Sequence, residues 1–484
     1  MPQKGLQGRK LHLLSAKKVE LIHQTSLRIL EEVGVSVEGD DFFDLFDRVG
    51  ANVDRKSHTV RLPPVLIQDL VSLAPSQFLL AGRTRENDMW IGDRHVHLGS
   101  GGACVRVLDL KSGVLRDSNL KDQYDLAWLT ENLENVHFYQ CPVVCNDVPK
   151  EILTVNSFYA ALAGTTKNVQ ESATSPRAAE DVIQMASMIA GSEEILRARP
   201  FISFVSSCMI SPLRLDTNVA RILKTVLTHG IPVALSSAPI TGLSAPATLA
   251  GLLALVHAEE LFAIALSQLI NPGARVLYGA VPSVASMRDV GYLAGAVETG
   301  IMNAAAVLLA KRVNVPVYSE AGQSDAKLPD VQAGYEKALN ILQVALSGGD
   351  YIHHSAGILE SLMTVAYEEF VIDNDINGMA LRVLEGIKVD EETLAFDVIK
   401  EVGPHGRFLT HKHTLKYARS NEFYVPTGLG RKSLRNEMTD RYDAREHARA
   451  IAREILAQKR PLLIPSQIDR QIREHFDIRL PVVS

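Results

Sequence analysis

Cysteine is scarce in this chain: Cys104, Cys141, Cys145 and Cys208 are its four in 484 residues. That is too few for a disulfide framework at this length, which removes the small stapled secreted classes. Cys141 and Cys145 have a spacing that some zinc sites use, but no second Cys/His pair follows at a matching interval, so they read as structural thiols. An amino-terminal apolar run of the kind that marks a secretory signal is also missing, so a cytoplasmic location is expected. Long unbroken apolar runs are lacking too. Residues 249–270 are interrupted by His257, Glu259, Glu260 and Gln268, and 304–310 is too short to span a bilayer, so both read as buried helices and no membrane partner is expected. There is no excess of one charge: 50 Lys+Arg against 56 Asp+Glu leave a net charge of -6, which sets nucleic acid aside as a partner. No G-x-G-x-x-G turn, nucleophile elbow, Walker loop or H-E-x-x-H helix occurs, so dinucleotide, acyl-hydrolase, phosphoryl-transfer and zinc-protease readings lose their specific support.

What is present is globular: 46% hydrophobic and 22% charged residues. The length suits one large α/β domain with additions. In residues 1–134, Ser15 caps a helix through Val19, Ile22, Ile29 and Val33 that Gly34 stops, and Pro63–Pro64 opens a second short helix. Short β-like runs at 78–80, 89–91 and 105–108 suggest a small antiparallel add-on. From 135 to 380 the pattern becomes apolar runs of four to seven residues, each with a polar or glycine-containing end and a longer helical stretch after it. Runs at 136–139, 168–170, 201–205, 232–235, 275–278, 315–318 and 351–353 recur at the interval a βαβ crossover requires. The expected fold is a (β/α)₈ TIM barrel; seven strands are legible, and closure needs one more. Residues 381–484 read as a charged helical extension, of which 461–484 packs across the outside or on another subunit.

In such a barrel, residues leaving successive strand ends converge on one face. The groups placed there are Gln140, Gln170 and Glu171, Ser206 and Ser207, Ser236 and Ser237, Tyr278, Glu320 with Gln323 and Asp325, and His353 with His354. Most are hydrogen-bonding groups without redox character. Glu320 and Asp325, five apart in one loop, have the makings of an acid/base pair or a cation site. Asp330 reads instead as the cap of the helix that follows. His353 and His354 occupy adjacent strand positions, so regular β geometry points them to opposite faces, and with no third ligand evident no metal site is expected.

Leu13-Leu-Ser-Ala-Lys-Lys-Val-Glu20, Leu30-Glu-Glu-Val-Gly-Val35, Leu277-Tyr-Gly-Ala-Val-Pro-Ser283 with Met287-Arg288, Ser324-Asp-Ala-Lys327, Gln332-Ala-Gly-Tyr-Glu336 and Tyr351-Ile-His-His-Ser-Ala-Gly357 follow one another in order. Together they resemble the trimethylamine:corrinoid methyltransferase superfamily over nearly the whole chain. The resemblance implies a (β/α)₈ barrel that passes a methyl group from a methylated amine to the cobalt of a separate corrinoid protein. One branch of that family carries pyrrolysine within the barrel; this chain has only standard residues, so it looks like the branch whose donors are quaternary amines such as glycine betaine, proline betaine or carnitine. Trimethylamine as donor, or a catalytically silent barrel that binds a betaine or the corrinoid protein, are the alternatives. On this reading no cofactor is tightly bound, the corrinoid comes with its own protein, and the enzyme is a homo-oligomer. A quaternary ammonium binds through aromatic faces and a counter-charge. Tyr278, Tyr318, Tyr139 and Tyr351 are therefore the expected cage, with Gln170 beside them, and Glu320 the counter-charge. Arg288, Lys327, His353 or His354 would take a betaine's carboxylate, a histidine of that strand being favoured. Glu320, Asp325 and Gln323 are the expected catalytic groups.

Overall fold

The computed structural model describes residues 6–8, 11, 13–288, 290–420, 422–427 and 443–482. Eight strands run parallel in chain order: β1 (His95–Leu98), β2 (Phe138–Gln140), β3 (Asn168–Glu171), β4 (Ile202–Ser206), β5 (Val233–Leu235), β6 (Val276–Leu277), β7 (Tyr318–Glu320) and β8 (Tyr351–His353). Ladders join β2 through β6, β7 to β8 and β8 back to β1. Parallel bridges Gly99↔Phe138 and Tyr278↔Val317 close the two remaining seams. The sheet is thus a closed barrel, the expected fold.

The missing strand is His95–Leu98. It lies before residue 135, so the boundary drawn there cuts the first barrel strand away from its sheet. Its His-Val-His-Leu sequence is polar at alternate positions, whereas buried parallel strands usually read as apolar runs, and that masked it. The boundary at 381 is also displaced, because the helix that follows β8 runs unbroken through Tyr367–Glu385.

A helix follows every strand: α1 (Leu120–Glu131), α2 (Leu153–Gly164), α3 (Pro176–Ala190), α4 (Thr217–Thr228), α5 (Leu249–Ile270), α6 (Val297–Arg312), α7 (Val331–Ser347) and α8 (Tyr367–Glu385). Their starts are written in the sequence. Ser175 accepts from Ala178 N ahead of Pro176, Asp216 accepts from Asn218 and Val219 N, and Asp330 accepts from Gln332 and Ala333 N. The helix α5 is long and apolar enough to cross a membrane by length and composition, and 83% of its most apolar window is buried against the rest of the chain.

Strand alternation sorts side chains between two cores. Phe138, Ala234, Leu277, Tyr318 and Tyr351 point into the barrel, where Phe78, Leu80, Met89 and Ile91 meet them. Those four come from the antiparallel pair Gln77–Leu80 and Met89–Gly92, so that part of the expected add-on plugs the amino-terminal end of the barrel, while Arg106–Leu108 belongs to a separate sheet with Leu115–Asp117 and Thr364–Ala366. Alternate residues such as Tyr139, Val169, Phe204 and Tyr278 face the surrounding helices. The carboxyl-terminal helices wrap the outside: Ala444–Ala457 places Arg445 and Arg449 on Glu368 of α8, and Trp128 of α1 donates to Ile455 O at 3.0 Å.

Candidate functional site

The register Glu320↔His353 sets the last residues of β7 and β8 side by side, both pointing inward. His354 has φ 65°, outside the β region, so the chain turns immediately after His353. That turn corrects the expectation of opposite faces. The two imidazole centroids lie 3.9 Å apart, edge to face, and both rings belong to the mouth of the barrel. Gly101, at the start of the β1 loop, makes room for them: a Cβ there would stand 2.7 Å from His354 Cδ2.

Glu320 is 5% exposed, and its Oε2 accepts from Gln323 Nε2 at 2.8 Å while Oε1 has no hydrogen-bond partner. The same Gln323 amide contacts His354 Nδ1, which lies 3.7 Å from Glu320 Oε2. Both ring nitrogens of His353 are buried without a partner, and burial, reinforced by His354, holds that imidazole well below its usual pKa and therefore neutral. Tyr318 stacks on His353 at 4.0 Å. The centre is rich in acceptors: a carboxylate and an imidazole in one cluster, all close to another imidazole, with one amide as the donor supplied. Ligand atoms of Glu320, His353 and His354 lie within 4.8 Å of one another, close enough that the three could hold a metal ion.

Asp325 has a different job from the acid/base role expected of it. Its carboxylate accepts from Ala294 N (2.9 Å), Gly295 N (3.2 Å) and Ser361 Oγ (2.6 Å), so it ties the β6, β7 and β8 loops together. The cage of four tyrosines also needs correction. Tyr139 donates to Gln123 O at 2.9 Å and Tyr278 meets His257 Nδ1 at 2.9 Å, both on the helix side of the barrel. Tyr318 and Tyr351 do point inward, but His353 covers one face of Tyr318, and Tyr351 stacks on Phe138 at 3.6 Å. Gln140 bonds Tyr318 Oη at 3.0 Å, and Gln170 donates to Ser203 Oγ at 3.1 Å, so both amides line the barrel interior. Arg288 and Lys327 are exposed on the β6 and β7 loops.

Two contributors escaped the sequence. Tyr292, from the β6 loop, donates to Gln323 Oε1 at 3.0 Å, and burial together with the nearby Glu320 pushes its phenol well above the usual range, so it stays a neutral donor. Lys337 of α7 is fully buried and donates to Gly322 O at 2.9 Å while pairing with Asp373 Oδ2 at 2.8 Å and Glu369 Oε1 at 3.4 Å. Asp373 Oδ2 also accepts from Gly357 N at 2.7 Å. Lys337 therefore anchors both loops that carry the site; Gly322 sits at φ +93°, where a side chain would be strained. A lysine at an apolar helix position gives no such signal until its burial is known.

Across the mouth, a cavity of about 150 Å³ opens between the β1, β2 and β3 loops, lined by Gln140, Cys141, Cys145, Leu153, Glu171 and Val205 among others. Burial lifts Glu171 to about 7, against donors from Ser157 and Cys141, and its Oε2 has no partner. The cysteines are free and buried, and desolvation drives the Cys141 and Cys145 thiols up, as inert structural thiols require.

The family model described as trimethylamine methyltransferase (MTTB) matches residues 3–480. Glycine betaine methyltransferase of Desulfitobacterium hafniense is 32% identical over 466 residues, 96% of each chain. Trimethylamine methyltransferase of Methanosarcina barkeri is 34% identical and covers 85% of this chain and 83% of its own. Among solved structures, the monomethylamine methyltransferase of Methanosarcina barkeri superposes with a TM-score of 0.52 at 13% identity, covering 91% of each chain, which speaks for the fold alone.

Proposed function

This chain belongs to the trimethylamine methyltransferase family, and from that premise we propose that it transfers a methyl group from a quaternary amine, a betaine foremost, to the reduced cobalt of a separate corrinoid protein. The observation that carries the donor class is the Glu320 centre. A buried carboxylate with one unpartnered oxygen, beside a neutral imidazole, is complementary to a cation, and a cation whose charge does not depend on a proton cannot lose that pairing by handing a proton to the carboxylate. A quaternary ammonium is such a cation. The relative that matches 96% of this chain is named for a donor of that class.

The chain's own task is positioning. Reduced cobalt, delivered on its partner, supplies the nucleophile. The barrel takes the ammonium out of water against Glu320, and Gln323, held by Tyr292, keeps that carboxylate aimed. The carbon–nitrogen bond breaks with its electron pair on nitrogen, so the amine leaves neutral and no acid is required. The carboxylate of a betaine does not belong on His353 or His354, as the sequence suggested, because Glu320 is adjacent and His353 is neutral. It points outward, toward the exposed cations Arg288 and Lys327.

The test is methyl-cobalt absorbance with a reduced corrinoid partner and a panel of glycine betaine, proline betaine, carnitine, choline and trimethylamine at equal concentration. Turnover of a trimethylammonium compound with little from trimethylamine is expected. Trimethylamine as the single productive donor would overturn the assignment of donor class, and binding of a betaine without methyl transfer to any corrinoid protein would make the barrel a sensor.

A further inference from the structure

Acceptor atoms that converge in a buried place suit more than one kind of cation, and here their chemistry is specific. One carboxylate and two imidazoles are the donor set of borderline divalent metals, and a poor one for magnesium or calcium, which want oxygen throughout. We propose that Glu320, His353 and His354 form a binding site for one divalent ion of the zinc class, and that this ion and the donor's ammonium exclude each other.

Four structural observations support the site. Ligand atoms of all three residues already lie within 4.8 Å of one another, and the His354 Nδ1 to Glu320 Oε2 distance is 3.7 Å. Tetrahedral zinc with bonds of about 2.0–2.1 Å needs its ligand atoms about 3.4 Å apart, so the set requires contraction by small side-chain movements rather than assembly. Second, the ligands come from two paired strand ends and the turn after one of them, which are rigid supports; β7 and β8 hold Glu320 and His353 in register, and Lys337 and Asp373 fix the loops beyond. Third, Glu320 Oε1 and both nitrogens of His353 are buried and have no other partner, a costly arrangement that a metal ion relieves at Oε1 and at the one imidazole nitrogen that carries a lone pair. Fourth, the Gln323 amide bridges Glu320 Oε2 and His354 Nδ1, placing a weakly positive hydrogen-bearing group where lone pairs of two of the proposed ligands meet.

That fourth observation sets the affinity. Gln323 must swing away for a metal to bind, giving up two hydrogen bonds, so it acts as a competitor built into the chain. The exclusion half of the proposal rests on the functional reading above, because it needs the ammonium at Glu320. The metal half does not.

The experiment uses the full chain, freed of metal with a chelator, titrated with Zn²⁺ by calorimetry and with Co²⁺ by visible absorbance. One ion per chain is expected, with the intense bands of low-coordinate Co²⁺. Glu320→Gln and His354→Asn should each weaken binding at least tenfold, asparagine being chosen because it tolerates the positive φ at 354. Gln323→Ala should tighten it about tenfold, a gain that misfolding cannot produce. Stoichiometric binding unaffected by all three variants would place the ion on a surface histidine and overturn the site, as would no binding at all. Saturating tetramethylammonium or glycine betaine should raise the apparent metal Kd at least tenfold. Metal affinity indifferent to both ammonium compounds would overturn the exclusion while leaving the metal site standing, and neither result depends on corrinoid turnover.

Discussion

The molecule buries two carboxylate centres within one turn of each other in the chain's course around the barrel, and it treats them oppositely. Behind the β7 and β8 loops, Glu369 and Asp373 share Lys337, all three with at most 1% exposure. Burial works to lower the lysine, but Asp373 and Glu369 outweigh it and leave it raised, while desolvation lifts Glu369 to about 8. The centre carries its own cation, and one proton on the acids balances it. In front, Glu320 has an amide and imidazoles for company and no resident lysine or arginine among its hydrogen-bond or ion-pair partners. A closed centre holds the structure, and an open one waits for a visitor. A buried charge that is not compensated within the chain is costly, and proteins keep such costs where a ligand removes them.

Substitutions can break this contrast. The largest effect is expected at the closed centre: Lys337→Met should destabilise the fold by about 3–5 kcal/mol, because two buried acids lose their partner and Gly322 O its donor. Denaturant melts give the measurement, and adding Asp373→Asn should recover part of the loss. If Lys337→Met were as stable as wild type, the two centres would not differ in kind.

At the open centre, Glu320→Gln should leave the melting temperature unchanged or raised, since it removes a buried charge that has no lysine or arginine paired with it among the described residues. Its cost should appear in donor binding, with KM raised by about 100-fold, the scale of one buried ion pair lost. Because positive charge fades from nitrogen as the methyl leaves, the carboxylate stabilises bound donor more than transition state, so kcat should hold or rise. Steady-state kinetics with a betaine separates the two parameters, and a fall in kcat at unchanged KM would refute the counter-charge role.

Glu171 sharpens the comparison as another carboxylate that has no lysine or arginine paired with it among the described residues. Its folded pKa of about 7 lies above the usual carboxylate value, so the folded state holds a proton that the unfolded chain releases. Stability from this group is therefore complete at pH 4 and lost as pH rises toward 7, by on the order of 2 kcal/mol or less for a residue with part of its surface in water. Urea melts at pH 5 and 7.5 should show that slope, and Glu171→Gln should flatten it. The smallest effects are expected from Tyr139→Phe and Tyr278→Phe, whose hydroxyls face the helices: donor KM should stay within about twofold, with a stability cost of about 1 kcal/mol each for the lost hydrogen bond. A large KM change in either would return that tyrosine to the cage.

Patterns that repeat along the chain were legible without a structure. Seven of eight strands, the helix caps at Ser15 and Asp330, and the burial of residues 249–270 follow from local periodicity and from residues that satisfy their own helix ends. The β7 loop stood out because polar groups after an apolar run announce a strand end, and Glu320, Gln323 and His353 do meet there. Direction was the limit. Whether Tyr318 or Tyr278 faces the barrel depends on a register that one residue of slip reverses, and the apolar run 315–318 overlaps its strand, Tyr318–Glu320, only at Tyr318.

The sequence by itself determined the class of fold, the family and the loop where polar side chains gather, since these depend on composition, periodicity and residues near in the chain. Tertiary structure alone decided which carboxylate is free. Asp325 and Glu320 are the same chemistry five residues apart, yet donors from Ala294, Gly295 and Ser361 satisfy the first, and those residues reach it only because the barrel closes. The left-handed turn at His354 that brings both imidazoles to one side, and the lysine that neutralises one acid centre but not the other, are likewise consequences of distance in space, which a pattern of neighbours along the chain does not encode.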